Sequence, residues 1–366
     1  MWVNLTVKLK KLDWLFLGSV GVLLLLSLLE LYSLAPTLEN GILLFKKQLF
    51  FILGGFALML FFAFFDYRFF KENVWIVLTF FLFSVLLLGV LLVIGKSIRG
   101  AQSWFKFGIF GFEPVEMLKI ALILILAKFF AIRHIEIFLP RHLISSFVYL
   151  LIPLVLVVLQ PDLGSASILF LIWLGIIIIA GMKAKHLVAI LLIVALIGCL
   201  GWGFLLKDYQ KARLINYFNP NQDPWGQGYN IIQSLTAIGN GGFWGKGLGQ
   251  GSVVQLGFLP ARHTDFIFAS LGEEMGLVGI IILLFAYLIL FSRLLKIALS
   301  TRDNFGRLLT IGALILFISQ CFINLGMNIG ILPITGISLP LLSYGGSGMI
   351  FSLILLGLAM SVKVNN

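Results

Sequence analysis

The sequence predicts an all-α polytopic membrane protein with ten transmembrane helices and one long extracytoplasmic loop between helices seven and eight. Three observations carry that expectation. Hydrophobic residues fill 60% of the 366 positions and charged residues only 11%, with a mean hydropathy of +1.10, whereas soluble domains are roughly 25% charged. The charge-free runs 48–65, 73–95, 142–161, 163–182, 186–206 and 275–292 approach the ~20 apolar residues that cross a hydrocarbon core. Residues 308–362 contain no Asp, Glu, Lys or Arg, and Pro333 and Pro340 divide them into two spans with an irregular connection.

The remaining elements follow in chain order. Residues 14–34 form the first helix despite Glu30. KLKKLD ahead of this run, with Ser33-Leu34-Ala35 after it, imitates a signal peptide, but the run is long and interrupted, so a retained helix is expected. Residues 113–131 form the fourth helix and carry Glu113, Glu116 and Lys119. An even number of spans puts both termini on one side. Lys8, Lys10, Lys11, Arg68, Lys71, Arg293, Lys296, Arg302, Arg307 and Lys363 lie on that side, together with others of the 26 basic residues, which marks it as cytoplasmic. The net charge of +11 reads as this orientation signal plus attraction to anionic membrane lipids, with no nucleic acid partner implied. Cys199 and Cys321 sit in apolar spans and offer neither a disulfide framework nor a metal-type spacing.

Ionisable groups at membrane depth are costly and mark function, and four places carry them. RGAQSWFKFGIFGFEPVEMLK brings Arg99 and Lys106 to the outer side and puts Glu116 and Lys119 on one face of helix four; a structural ion pair and a functional pair both fit that spacing. In QPDLGSAS, Asp162 sits at the outer boundary, as a helix cap or as a site residue. The glycine-rich, aromatic segment 207–263, with a short helix near Tyr229–Ile238, lies over the bundle, where Arg213, Lys246 and Arg262 could hold an anionic headgroup. Flexible loop with solvated charges is the plainer alternative. No GxxxxGK[ST] is present to bind nucleotide phosphates. Finally, RHTDFIFASLGEEMG places Asp265 directly before helix eight. Thr264 or Asp265 would be an ordinary N-cap; alternatively, a carboxylate at a dehydrated mouth can act as a general base.

ARHTDFIFASLGEEMG, GYNIIQSLTAIGNGGFWGKGLGQGS, QPDLGSA, EPVEMLK and NIGILPITGISLPLLSYGGS together resemble the SEDS family (shape, elongation, division and sporulation proteins), most closely its RodA branch. Arg262 before His263-Thr264-Asp265 is similar to the elongation branch, and Glu113-Pro114-Val115-Glu116 departs from the Gln-Pro-Ser-Glu often seen in relatives. The resemblance implies a peptidoglycan glycosyltransferase in the bacterial cytoplasmic (inner) membrane. It would polymerise lipid II at the outer face, working with a class B penicillin-binding protein and other elongation-complex proteins.

On that reading Asp265 is the base that deprotonates the acceptor 4-hydroxyl, and undecaprenyl pyrophosphate leaves with inversion, so one base suffices. Arg99, Lys106, Glu116, Lys119, Asp162, Arg213, Gln233, Arg262, His263, Thr264 and Ser343 form the substrate site. The apolar helices 43–65 and 73–94 would border a groove for the polyprenyl chain. A divalent cation, Mg or Mn, is compatible with the leaving group, but no ligand cluster in the sequence specifies one. A lipid II flippase is the alternative, since intramembrane Glu116 and Lys119 also suit a translocation path.

Overall fold

The computed structural model describes residues 8–95, 103–107, 110–132, 140–204, 211 and 227–365. Helices α1 (Trp14–Leu34), α2 (Gly41–Phe64), the short α3 (Arg68–Glu72) and α4 (Val74–Ile94) lead to strands β1 (Phe105–Phe107) and β2 (Phe110–Phe112). Then follow α5 (Pro114–Ile132), α6 (Pro140–Leu159), α7 (Leu163–Ala180), α8 (Ala184–Phe204), α9 (Gln227–Gly241), α10 (Ser252–Gln255), α11 (Ile267–Ser300), α12 (Asn304–Asn328) and α13 (Gly346–Val364).

Among the described residues eight helices are long and apolar enough to cross a membrane: α1, α2, α4, α6, α7, α11, α12 and α13. The other two expected spans correspond to α5, which carries Glu116, Lys119 and Lys128, and α8, whose Ala184–Leu196 is apolar. Pro333 and Pro340 fall in the irregular connection between α12 and α13, as expected. A helix occupies the expected place near Tyr229–Ile238, as α9. One feature was not anticipated: β1 and β2 pair antiparallel, with Phe105 opposite Phe112, in a stretch the sequence reads as loop.

Helix α5 is the hub. It packs against α4, α6, α7, α12 and α13, and it is buried from Pro114 to Phe130. A helix enclosed on all sides can carry charges only where neighbours or its own face receive them, as Lys119 does with Glu116 and Lys128 with the carbonyls of Phe70 and Lys71. Contacts elsewhere are set by small residues. At Gly357 of α13 a Cβ would lie 2.9 Å from Met59 Cα, so α13 and α2 cross backbone to backbone, as helices in membranes do where small residues meet.

Helix α11 is broken at Gly276, whose φ of 63° and ψ of −160° suit glycine alone. The break frees backbone groups that the segment after α9 takes up. Lys246 N donates to Glu273 O (2.9 Å) and Gly247 N to Glu274 O (3.0 Å), while Leu277 N and Val278 N donate to Gly242 O (3.0 Å) and Phe243 O (3.2 Å).

At the end of the bundle that carries both termini, Asp13 caps α1 by accepting from Phe16 N (3.2 Å). Its Oδ2 also takes Arg293 Nη2 (2.6 Å) and Lys363 Nζ (2.8 Å), joining α1, α11 and α13. Burial on its own would raise the Asp13 carboxyl, but Arg293, Lys363 and the Phe16 N–H outweigh it and hold the group below its ordinary value of 3.8. A depressed value stabilises the fold above the unfolded-state value, and that stability is lost as pH falls through the folded one. Asp13→Asn should therefore cost about 1–3 kcal/mol near neutral pH, with the gap to wild type closing below about pH 4. Thermal unfolding across a pH series checks this.

Candidate active site

The polar residues cluster at the other end, around the start of α5, α7 and α11 and the connection 329–345. Helix α11 begins at Ile267 with Phe266 as its N-cap and no side-chain cap bond. The N-cap alternative for Thr264 and Asp265 is thereby overturned: helix formation starts two residues later, and Thr264 Oγ1 instead donates back to Ala261 O (3.3 Å). Asp265 is half-buried, and its backbone is clamped. Asn324 Nδ2 (2.9 Å) and Asn328 Nδ2 (3.1 Å), both from α12, donate to Asp265 O.

Neighbouring carbonyls are held in the same way. Ser343 Oγ donates to Thr264 O (2.7 Å) and accepts from Leu339 N (2.8 Å), and Tyr344 N donates to His263 O (2.9 Å). Gln48 Nε2 from α2 reaches Ser343 O (3.4 Å). Asn324 spends its other N–H on Ile337 O (2.8 Å), so the segment that carries Asp265 and the connection before α13 are fixed to one another. A Cβ at Gly336 would come 3.9 Å from Asp265 Oδ2, and one at Gly164, near Asp162, would come 2.9 Å from Thr335 O. The connection thus runs between the two aspartates.

Glu116 and Lys119 form the ion pair their spacing predicts, at 2.6 Å and with side chains 10% and 3% exposed. A small cavity of about 20 Å³, enough for one water, separates Glu116 from Gln320, Ser343 and Gly348. Glu113 donates its N–H to Ser347 Oγ (3.3 Å) and feels the charges of Glu116, Lys119, Asp162 and Asp265. That coupling places the two aspartates and the ion pair in one electrostatic neighbourhood.

Asp162 is half-buried and does cap α7, accepting from Ser165 N (2.9 Å); its second oxygen is not needed for that bond. Arg262 is buried and points away from the cluster, donating through Nη2 to Thr37 O (2.9 Å) and Thr37 Oγ1 (3.2 Å). Burial lowers its guanidinium from the ordinary value, which leaves an arginine charged at neutral pH. The contacts give it a bracing role between the α1–α2 turn and the base of the site. Gln233 is half-buried on α9, next to Ser234, whose Oγ donates to Asn328 O (2.8 Å). Arg99 and Arg213 lie outside the described residues, as does the side chain of Lys106, whose backbone pairs with Gly111 in the β-ribbon.

Several polar residues escape the sequence reading. Gln48, Asn324 and Asn328 are uncharged amides inside apolar runs, without a motif to announce them. Glu273 and Glu274 stand in plain view in the quoted stretch. Both are buried: Glu273 accepts from Val253 N (3.0 Å) and Val254 N (2.8 Å), and Glu274 from Gln255 Nε2 (2.5 Å) and Ser33 Oγ. Two adjacent carboxylates ahead of 18 uncharged residues are a signal that could have found them. Among the described residues no group of three or more His, Cys, Asp or Glu side chains could hold a metal ion.

Comparison with known proteins shows the family. Residues 8–366 match the FtsW/RodA/SpoVE family model, described as cell cycle protein. The peptidoglycan glycosyltransferase MrdB of Escherichia coli is 41% identical over 288 residues, 78% of this chain and 77% of that protein. A probable peptidoglycan glycosyltransferase FtsW of Trichlorobacter lovleyi is 34% identical over 354 residues, 95% and 90% of the two chains. Among solved structures, a chain of a peptidoglycan synthase complex superimposes with a TM-score of 0.83 at 32% identity, covering 97% and 98% of the two chains. The rod shape determining protein RodA of Thermus thermophilus gives 0.70 at 29% identity, covering 96% of each. The chain is a member of the FtsW/RodA/SpoVE family of multi-pass bacterial membrane proteins.

Proposed function

We propose that the chain is a peptidoglycan glycosyltransferase of the RodA branch that polymerises lipid II during cell elongation, with Asp265 as general base. The observation that carries this reading is the placement of Asp265: its backbone carbonyl is clamped by Asn324 and Asn328, and the connection 329–345 runs between it and Asp162. A general base must be held in register with the attacking hydroxyl, and a clamped backbone supplies that register. The family membership and the relatives named as glycosyltransferases support the reaction class.

In the proposed reaction the acceptor sugar's 4-hydroxyl gives its proton to the Asp265 carboxylate as its oxygen attacks the donor's anomeric carbon. The bond from that carbon to the pyrophosphate oxygen breaks, and its electron pair leaves with the undecaprenyl pyrophosphate. The α-linked donor becomes a β-linked product in one inversion. Negative charge grows on the leaving oxygen, where a preorganised cation lowers the barrier most. Lys119, held by Glu116, is the candidate among the described residues, with Arg99, Lys106 and Arg213 as further candidates. Helices α2 and α4 pack on different neighbours and expose Phe50, Leu53, Phe61, Leu86 and Val93, as the borders of a polyprenyl groove would.

We place the site at the outer face of the cytoplasmic membrane, with both termini inside, because Lys8, Arg293, Arg302 and Lys363 gather at the opposite end of the bundle. The ten-span topology includes α5 and α8. A class B penicillin-binding protein is the expected partner, as the likeness to a peptidoglycan synthase complex suggests.

Three variants test the mechanism in a polymerisation assay with purified protein, lipid II and the cognate partner. Asp265→Asn should insert and fold normally yet make no glycan, because the amide keeps the shape and cannot take the proton; polymer of near-normal length and rate would sink the assignment. Glu116→Leu with Lys119→Met removes both charges and leaves neither unpaired, so a merely structural pair would survive it. Loss of polymerisation with unfolding temperature retained is expected, and full activity would return the pair to a structural role. Ser343→Ala leaves Thr264 O and Leu339 N without their partner, at a cost of about 1–3 kcal/mol. Turnover should drop roughly 10- to 100-fold as Asp265 loses its register, with the carboxylate itself untouched.

A further inference from the structure

A second space lined by charged side chains lies away from the candidate active site, at the other end of α5. Lys128 and Glu116 lie 12 positions apart on that helix, or about 18 Å along its axis. Here a cavity of about 340 Å³, room for roughly ten waters, opens between α3, the end of α5 and the start of α12. Lys71, Lys128, Arg302, Asp303, Ile132 and Phe305 line it.

Among the described residues its charges do not cancel. Asp303 is already satisfied, by Lys71 Nζ at 2.7 Å and by Gly306 N at 3.1 Å as the cap of α12. That leaves Lys128 and Arg302. Lys128 is 6% exposed, and its ammonium donates to Phe70 O (3.1 Å) and Lys71 O (2.6 Å). An ammonium has three protons, so two carbonyls fix its position and one N–H remains to give. Arg302 is exposed at the rim, and Ile132, 63% exposed, gives the mouth an apolar edge. Dispersed surface lysines would serve a general attraction to anionic membrane; a buried ammonium set in place by backbone, beside an unpaired guanidinium and an apolar lip, is a more specific arrangement.

We propose that this cavity binds a phosphate-bearing anion, with Lys128 and Arg302 as its donors. Guanidinium and ammonium groups together suit phosphate oxygens. The apolar lip favours the headgroup of an anionic phospholipid, whose chains would leave the cavity past Ile132; free phosphate offers the same oxygens without the chains. The site is independent of the glycosyltransferase reading.

The test uses the full-length protein in phosphatidylcholine vesicles, with thermal unfolding as readout. Phosphatidylglycerol is titrated into the vesicles in one arm, and inorganic phosphate into the buffer in the other. Wild type should be stabilised, by phosphatidylglycerol alone if the source is lipid and equally by inorganic phosphate if it is not. Arg302→Gln, chosen because an exposed side chain can be changed without risk to folding, should weaken the apparent affinity about tenfold, the loss of one charge-assisted bond. Lys296→Gln removes an exposed charge at the same end of the bundle and outside the cavity, and should leave the titration unchanged. Absence of stabilisation by either anion would overturn the proposal. So would an equal loss in Lys296→Gln, since the attraction would then belong to the whole basic face.

Discussion

The rest of the structure depends on one constraint: irregular backbone at membrane depth must find partners inside the protein. In hydrocarbon an unsatisfied N–H or C=O costs several kcal/mol, and the chain leaves helix for 329–345 and again before α11. Asn324, Asn328, Ser343 and Gln48 supply what water would supply elsewhere. Because these side chains come from α2, α12 and the connection itself, the carbonyls of Thr264 and Asp265 are fixed relative to several helices at once. The polar network that solves the solvation problem is the same one that aims the carboxylate.

Buried acids extend that logic to the segment after α9. Glu273 and Glu274 are buried and accept hydrogen bonds from N–H and O–H groups of residues 252–255 and of Ser33. Glu30, fully buried on α1, feels the charge of Glu274. The segment is therefore not draped over the bundle. It is plugged into it, through hydrogen bonds to carboxylates that lose more than the segment does if the contact opens.

Much of this was legible in the sequence, for reasons that can be named. The spans follow from apolar length, the Glu116–Lys119 pair from helical spacing, and the break near Pro333 from proline chemistry. The cap on α7 was readable as one of two uses of Asp162, and the same rule misplaced Thr264 and Asp265, because a cap motif cannot say whether the helix waits two residues more. The rule fails where a tertiary clamp overrides local preference. Amides such as Asn324 and Asn328 were invisible because nothing in their neighbours distinguishes a polar group that braces backbone from one that is merely tolerated. Arg262 had the charge of a headgroup ligand, and only its contact with Thr37 reveals a strut.

The break at Gly276 changes what kind of object α11 is. Its first nine residues, about 13 Å of helix, accept two backbone hydrogen bonds from Lys246 and Gly247, and the longer half donates two, from Leu277 and Val278 to Gly242 and Phe243. In mechanical terms residues 242–247 are a splint, bound to the helix on both sides of the break, and the short half it holds begins two residues after Asp265. The exposed Phe243 and Trp244 stand on that splint, so whatever bears on them bears on both halves of α11 together.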